Sequence, residues 1–145
     1  MSITQPLFQH HKHCDEIFAD AEDACVSGNW SAGEKAFGEF AAELETHFQS
    51  EEEVLFPAFE SATGMTSGPT EVMRGEHRQM RALLSQMREA LEQRDGDGFT
   101  GSAETLLIMM QQHNMKEENI LYPMCDNALG GSDIGSTIAR RLGAA

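Results

Sequence analysis

Four histidines and two glutamates of the 145-residue chain recur at one fixed offset: His11 and His77, His47 and His113, and Glu51 and Glu117 each stand 66 positions apart. The strings around them agree, since HFQSEEEVLFP at 47–57 aligns without a gap to HNMKEENILYP at 113–123 and carries Leu55 onto Leu121 and Pro57 onto Pro123. Neutral imidazoles beside carboxylates are the donor set of a divalent cation site. His47 with Glu51, and His113 with Glu117, are four residues apart, which on a helix places each pair one turn apart on a shared face. The chemistry expected is cation binding by a half that was duplicated.

The elements that must hold these groups follow from punctuation and period. Gly and Pro interrupt the chain at Gly28-Asn29, Gly64 to Pro69, Asp95 to Gly98 and Gly130-Gly131, leaving four long segments. Apolar residues recur in steps of three and four in each: Leu7, Cys14, Phe18, Ala21, Cys25; then Phe37, Phe40, Leu44, Val54, Ala58; then Met73, Met80, Leu84, Met87, Leu91; then Ala103, Leu106, Met110, Ile120, Met124. That period predicts amphipathic helices. Ser31 with Glu34 resembles a capping box opening the second helix, and Thr70 after Pro69 opens the third. Pro57 and Pro123 are expected to kink or stop their helices.

Hairpin arithmetic then levels the site. His11 and His47 are 36 residues apart with midpoint 29, His77 and His113 are 36 apart with midpoint 95, and both midpoints fall on turns. His47 and His77 are centred on position 62, beside Gly64. The predicted fold is all-α, an up-down-up-down antiparallel four-helix bundle in one domain spanning 1–145. Its core covers about 7–127, followed by a tail at 128–145 whose Ile134, Ile138 and Leu142 predict a short fifth helix. That helix packs on the bundle or on another subunit, making an oligomer contact. The four histidines lie at one level, roughly 27 Å from the outer turns at ~1.5 Å of rise per residue.

His11, His47, Glu51, His77, His113 and Glu117 interrupt the apolar seams at that level. Burying one unpaired carboxylate costs several kcal/mol, so two carboxylates among four imidazoles require a compensating charge. Two divalent ions supply it, each with two histidines and both glutamates as bridges, leaving positions for a solvent bridge and an outside ligand. A helical bundle with this donor mixture is a setting for two iron ions, with manganese and zinc as competitors.

At these residues the chain resembles the hemerythrin-like HHE cation-binding family, whose hairpin signature is a His near the start of one helix and His-x-x-x-Glu on the next. The resemblance covers roughly 7–127. It implies a non-haem di-iron centre bridged by two carboxylates that meets dioxygen or nitric oxide. Oxygen-carrying members use a fifth histidine, where this chain has Met73, and end in His-x4-Asp, where it has His113-x3-Glu117 with Glu118 as an alternative ligand. The pattern of four His and two Glu is similar to the centres of bacterial iron-sulfur cluster repair proteins.

Three function classes follow: a binding, sensing or storage protein for dioxygen or nitric oxide; a small di-iron oxidoreductase or iron donor acting on nitric oxide, peroxide or damaged clusters; and a signalling module working through the C-terminal helix. Whether the chain is an enzyme stays open. Ferritin-type storage is disfavoured because its Glu-x-x-His order is missing. A formal charge of -14, from 10 Lys+Arg against 24 Asp+Glu, excludes nucleic acid and anionic lipid as partners. No apolar run spans a bilayer and the first twenty residues do not resemble a signal peptide, so a cytoplasmic protein is expected.

The remaining reactive side chains receive structural roles. Cys14, Cys25 and Cys125 align with Met80, Leu91 and Phe59 and are expected as core thiols in a reducing compartment. His10 and His13 are expected to face solvent, with His10 the spare that could replace or support a ligand. Glu52 and Glu53 are expected to face solvent, Trp30 to cap the bundle end, and Tyr122 to pack as its counterpart Phe56 does.

Overall fold

Helix α1, Gln5–Val26, starts on Pro6 in its first turn and ends at Gly28, whose positive φ of 78° turns the chain back. The computed structural model describes residues 2–143. Helix α2, Trp30–Ser50, is capped by Asn29, which accepts from the Ala32 amide at 3.3 Å. The expected Ser31–Glu34 box does not form: Ser31 is already inside the helix, and Glu34 pairs with Arg94. A shorter helix α3, Phe56–Thr63, closes at Gly64 with φ 74°.

Helix α4, Pro69–Glu92, follows Gly68 as its cap. Thr70 therefore does not open the helix; its buried hydroxyl donates to Glu60 Oε2 at 2.6 Å and ties α4 to α3. Asp95 caps α5, Gly96–Lys116, by accepting from the Gly98 amide at 2.9 Å, so the glycines around position 97 begin a helix rather than merely break one. Helices α6, Tyr122–Leu129, and α7, Ile134–Arg141, complete the chain.

Two π-helical turns, Glu51–Leu55 and Glu117–Leu121, join α2 to α3 and α5 to α6 without a break. In each, an amide reaches back five residues, Phe56 N–H to the Glu51 carbonyl and Tyr122 N–H to the Glu117 carbonyl. The widened turn lets Pro57 and Pro123 enter the first turn of the following helix, so neither stops it. It also advances the apolar phase by one residue. Leu55 and Leu121 are the buried residues, whereas Ile120, expected on the seam, is 57% exposed and Val54 only half-buried.

The four long segments form the up-down-up-down bundle, α1 packed on α2 and α4 on α5, with no strand among the described residues. Its core has two parts. Toward the outer turns lie Phe18, Phe37, Phe40, Leu106, Met87 and Phe99 with Trp30 against them; toward the other end lie Leu7, Leu55, Phe56, Phe59, Met73 and Leu121. The six polar residues of the sequence pattern sit between the two. Helix α7 covers the second part with fully buried Ile138, and Ile134 and Leu142 pack beside it. A Cβ at Gly135 would stand 3.1 Å from Ile3 Cα, so the absent side chain permits this close docking. No helix among the described residues is long and apolar enough to cross a membrane.

Candidate metal centre

His11 on α1, His47 on α2, His77 on α4 and His113 on α5 arrive at one level, as the midpoints require. The rings pair across neighbouring helices, with centroids 4.7 Å apart for His11–His47 and 5.0 Å for His77–His113. Glu51 and Glu117, each opening a π turn, project between them, and all six residues are buried. Their donor atoms form two groups. Glu51, His77, His113 and Glu117 bring one atom each within 4.8 Å of one another, as do His11, His47 and Glu117.

Each histidine turns Nε2 inward and engages Nδ1 outward. His11 Nδ1 meets Glu118 at 2.6 Å, His77 Nδ1 meets Glu52 at 2.7 Å, and His113 Nδ1 meets Glu76 at 2.8 Å. These carboxylates lock ring orientation and hold a proton on Nδ1, so that Nε2 is the atom each ring would offer to a cation. Two are themselves held by cations: Arg81 donates to Glu52 at 2.8 and 2.9 Å, and Lys116 to Glu76 at 2.6 Å. Glu52 therefore supports His77 instead of facing solvent freely, while Glu53 is exposed and pairs with Arg141. Glu118, the alternative ligand, lies outside His11 and does not enter the inner cluster.

The fourth ring departs from the pattern. His47 Nδ1 lies 2.9 Å from Nδ1 of His10, whose Nε2 meets Glu43 at 3.1 Å. His10 is buried, not solvent-facing, because the α1–α2 contact covers the side of α1 it occupies. His13 does remain largely exposed, near Glu43. The signal for His10 was in the repeat, since residue 10 plus 66 is Glu76, another outer partner.

Tyr122 is the second departure. Its hydroxyl donates to Glu51 Oε2 at 2.7 Å and lies 3.0 Å from Glu117 Oε1, so it belongs to the site and not only to the packing. The counterpart Phe56 instead lays its ring against His77, with centroids 5.8 Å apart. Phe48 stacks on the same imidazole at 4.0 Å.

Electrostatics follow this geometry. Burial alone would raise the Glu51 carboxyl, but His47 and the surrounding hydrogen bonds hold it well below its ordinary value. Burial likewise opposes ionisation of Glu52, yet His77 and Arg81 bring it down to about 2. Burial lowers His113, but the Glu117 charge outweighs this and lifts it to about 9. Burial dominates at His47, which is lowered, and at His10, which with the nearby His47 falls to about 4. The Tyr122 hydroxyl is pushed well above its usual range by burial and then by the Glu117 and Glu51 charges.

Four buried atoms, Glu51 Oε1, His77 Nε2, His113 Nε2 and Glu117 Oε2, have no hydrogen-bond partner. His77 Nε2 is 3.1 Å from Glu51 Oε1 and His113 Nε2 is 3.3 Å from Glu117 Oε2, but neither pair is aligned for a hydrogen bond. Convergent donors of mixed imidazole and carboxylate type, deprived of partners, suit a divalent cation. No curated protein and no solved structure matches the chain. A family profile described as the Hemerythrin HHE cation binding domain matches residues 2–125, and with that match spanning the bundle and every donor just described, the chain belongs to the hemerythrin HHE family.

Proposed function

We propose that the chain is a non-haem di-iron protein that takes up dioxygen or nitric oxide for binding, sensing or storage of that molecule. His77 and His113 would hold one ion, His11 and His47 the other, with Glu51 and Glu117 bridging. The observation that carries this reading is the set of four partnerless buried donors, which a cation would satisfy together. A bridging role for the glutamates is supported by their two-sided placement. Glu117 Oε2 faces His113 at 3.3 Å while its Oε1 faces His11 at 3.1 Å.

When bound, the ions supply reversible electron transfer and an open coordination position for a diatomic gas. The chain supplies the rest. Phe48, Phe56, Leu7, Leu55 and Leu121 close the layers around the donors and exclude bulk water. The outer carboxylates fix the imidazoles, and Tyr122 places one hydroxyl proton against the Glu51 carboxylate. Three buried free cysteines fit a reducing compartment, for which we take the cytoplasm.

The test is metal analysis of anaerobically purified protein, followed by titration with oxygen and nitric oxide. Two iron ions per chain and a change in near-ultraviolet charge-transfer absorption on gas addition are expected. Iron-loaded protein whose spectrum is indifferent to both gases would overturn the reading.

A further inference from the structure

The duplicated halves share their donor residues but not the residue after the wide turn, which is Phe56 in one and Tyr122 in the other. On the Phe56 side, all four convergent atoms, Glu51 Oε1, His77 Nε2, His113 Nε2 and Glu117 Oε2, are buried without partners. On the other side, one hydroxyl reaches every inward donor. Tyr122 Oη lies 2.7 Å from Glu51 Oε2, 3.0 Å from Glu117 Oε1, 3.3 Å from His11 Nε2 and 3.4 Å from His47 Nε2.

A buried polar atom left unpaired is costly, whereas one already hydrogen-bonded is not. A cation between His77 and His113 relieves four unpaired atoms at once. A cation between His11 and His47 must instead take its donors from an existing hydroxyl contact. The outer partners act in the same direction. His77 and His113 are both backed by carboxylates, and those carboxylates are held by Arg81 and Lys116. His47 is backed by the imidazole of His10, which does less than a carboxylate to raise ligand basicity.

We propose that the two metal positions are inequivalent and fill in order: first and tightly at Glu51, His77, His113 and Glu117, then weakly and exchangeably at His11 and His47. The Tyr122 hydroxyl sets the gap between them. The inference rests on the dinuclear reading above, but it concerns the order of loading and holds for any divalent ion the donors accept.

The test is calorimetric titration of the metal-free full chain with Zn(II), together with anomalous diffraction from crystals carrying one equivalent. Two steps separated by at least about tenfold, ~1.4 kcal/mol, are expected, with the first ion located beside His77 and His113. Tyr122→Phe, which copies the residue of the other half, is expected to tighten the second step more than the first and so narrow the gap between them. A single step for two ions, a first ion beside His11 and His47, or a second step weakened in Tyr122→Phe would overturn the proposal. Because the position of the first ion is read in the unmodified chain, the result does not depend on the variant folding. A chain that binds no Zn(II) and no iron would overturn the cation centre itself, a failure distinct from equal affinities.

Discussion

His10 and His47 face each other through their Nδ1 atoms at 2.9 Å, the only outer contact among the four inner imidazoles in which the partner is not a carboxylate. If His47 Nε2 is to donate to a cation, its proton must sit on Nδ1 and be given to His10 Nδ1. His10 then carries its own proton on Nε2 and donates to Glu43. Both rings stay neutral, in keeping with the lowered position of each. Replacing His10 by Ala removes the acceptor that orients His47, and the affinity of the weaker-bound ion should fall about 10- to 100-fold. Titration of the metal-free protein by calorimetry measures it.

Glu51→Ala and Glu117→Ala each delete a carboxylate with no exposed surface that faces both halves of the site. Metal content should drop below two ions per chain, and the gain in Tm on metal loading should shrink with it, because binding energy and folding energy are linked. Elemental analysis and thermal unfolding with and without metal check both. Two ions per chain in both variants would exclude a bridging role.

Arg81 makes a bidentate pair with Glu52 and a second with Glu45 while lying over the Phe48 ring at 5.2 Å. Arg81→Met should destabilise the fold by about 1 kcal/mol, the scale of a half-exposed network, and weaken metal binding through the loosened Glu52–His77 contact. Arg81→Lys keeps the charge but not the planar fork, so it should recover only part of the loss. Denaturant unfolding and metal titration separate the two effects.

Acid and alkali should both weaken the metal-free chain, for different reasons. His113 has its folded value raised to about 9, so its contribution is complete below the unfolded value of 6.5 and disappears as pH climbs from there through 9. His10 is lowered to about 4, so its neutral burial is favourable above 6.5 and is lost as pH falls toward 4. Once metal is supplied, the alkaline arm should invert, since the proton on His113 competes with the cation and affinity rises with pH up to about 9. Unfolding curves across this range, with and without metal, provide the measurement.

All three thiols are buried, and burial pushes Cys14 and Cys125 up to about 12. A thiol-reactive reagent at neutral pH should leave the folded chain unmodified and label three sites per chain in denaturant.

The bundle, its level of histidines and the burial of six converging His and Glu side chains were legible because a duplicated spacing marks a cluster in a way that a single buried histidine does not. What followed Glu51 and Glu117 was not legible. A regular helical period places Val54 and Ile120 on the seam, and only a π turn, invisible in an apolar pattern, transfers burial to Leu55 and Leu121. Tyr122 was hidden by its own repeat partner, because hydrophobic patterning treats a phenol and a phenyl alike although only one carries a hydroxyl. The outer partners carried a usable signal: Glu52 and Glu118, like His10 and Glu76, stand 66 residues apart.

The wide turns make this architecture unusually sensitive to chain length where it is otherwise tolerant of residue type. Each spends one surplus amide at the point where a carboxylate must enter and an aromatic ring must follow. Inserting a further residue within 52–54 would leave the hydrophobic inventory intact, yet rotate everything downstream by about 100°, aiming Phe56 away from His77. A frame of gears that has already taken up one extra tooth has no room for a second, and here the spare position is what allows carboxylate and ring to share one continuous rod.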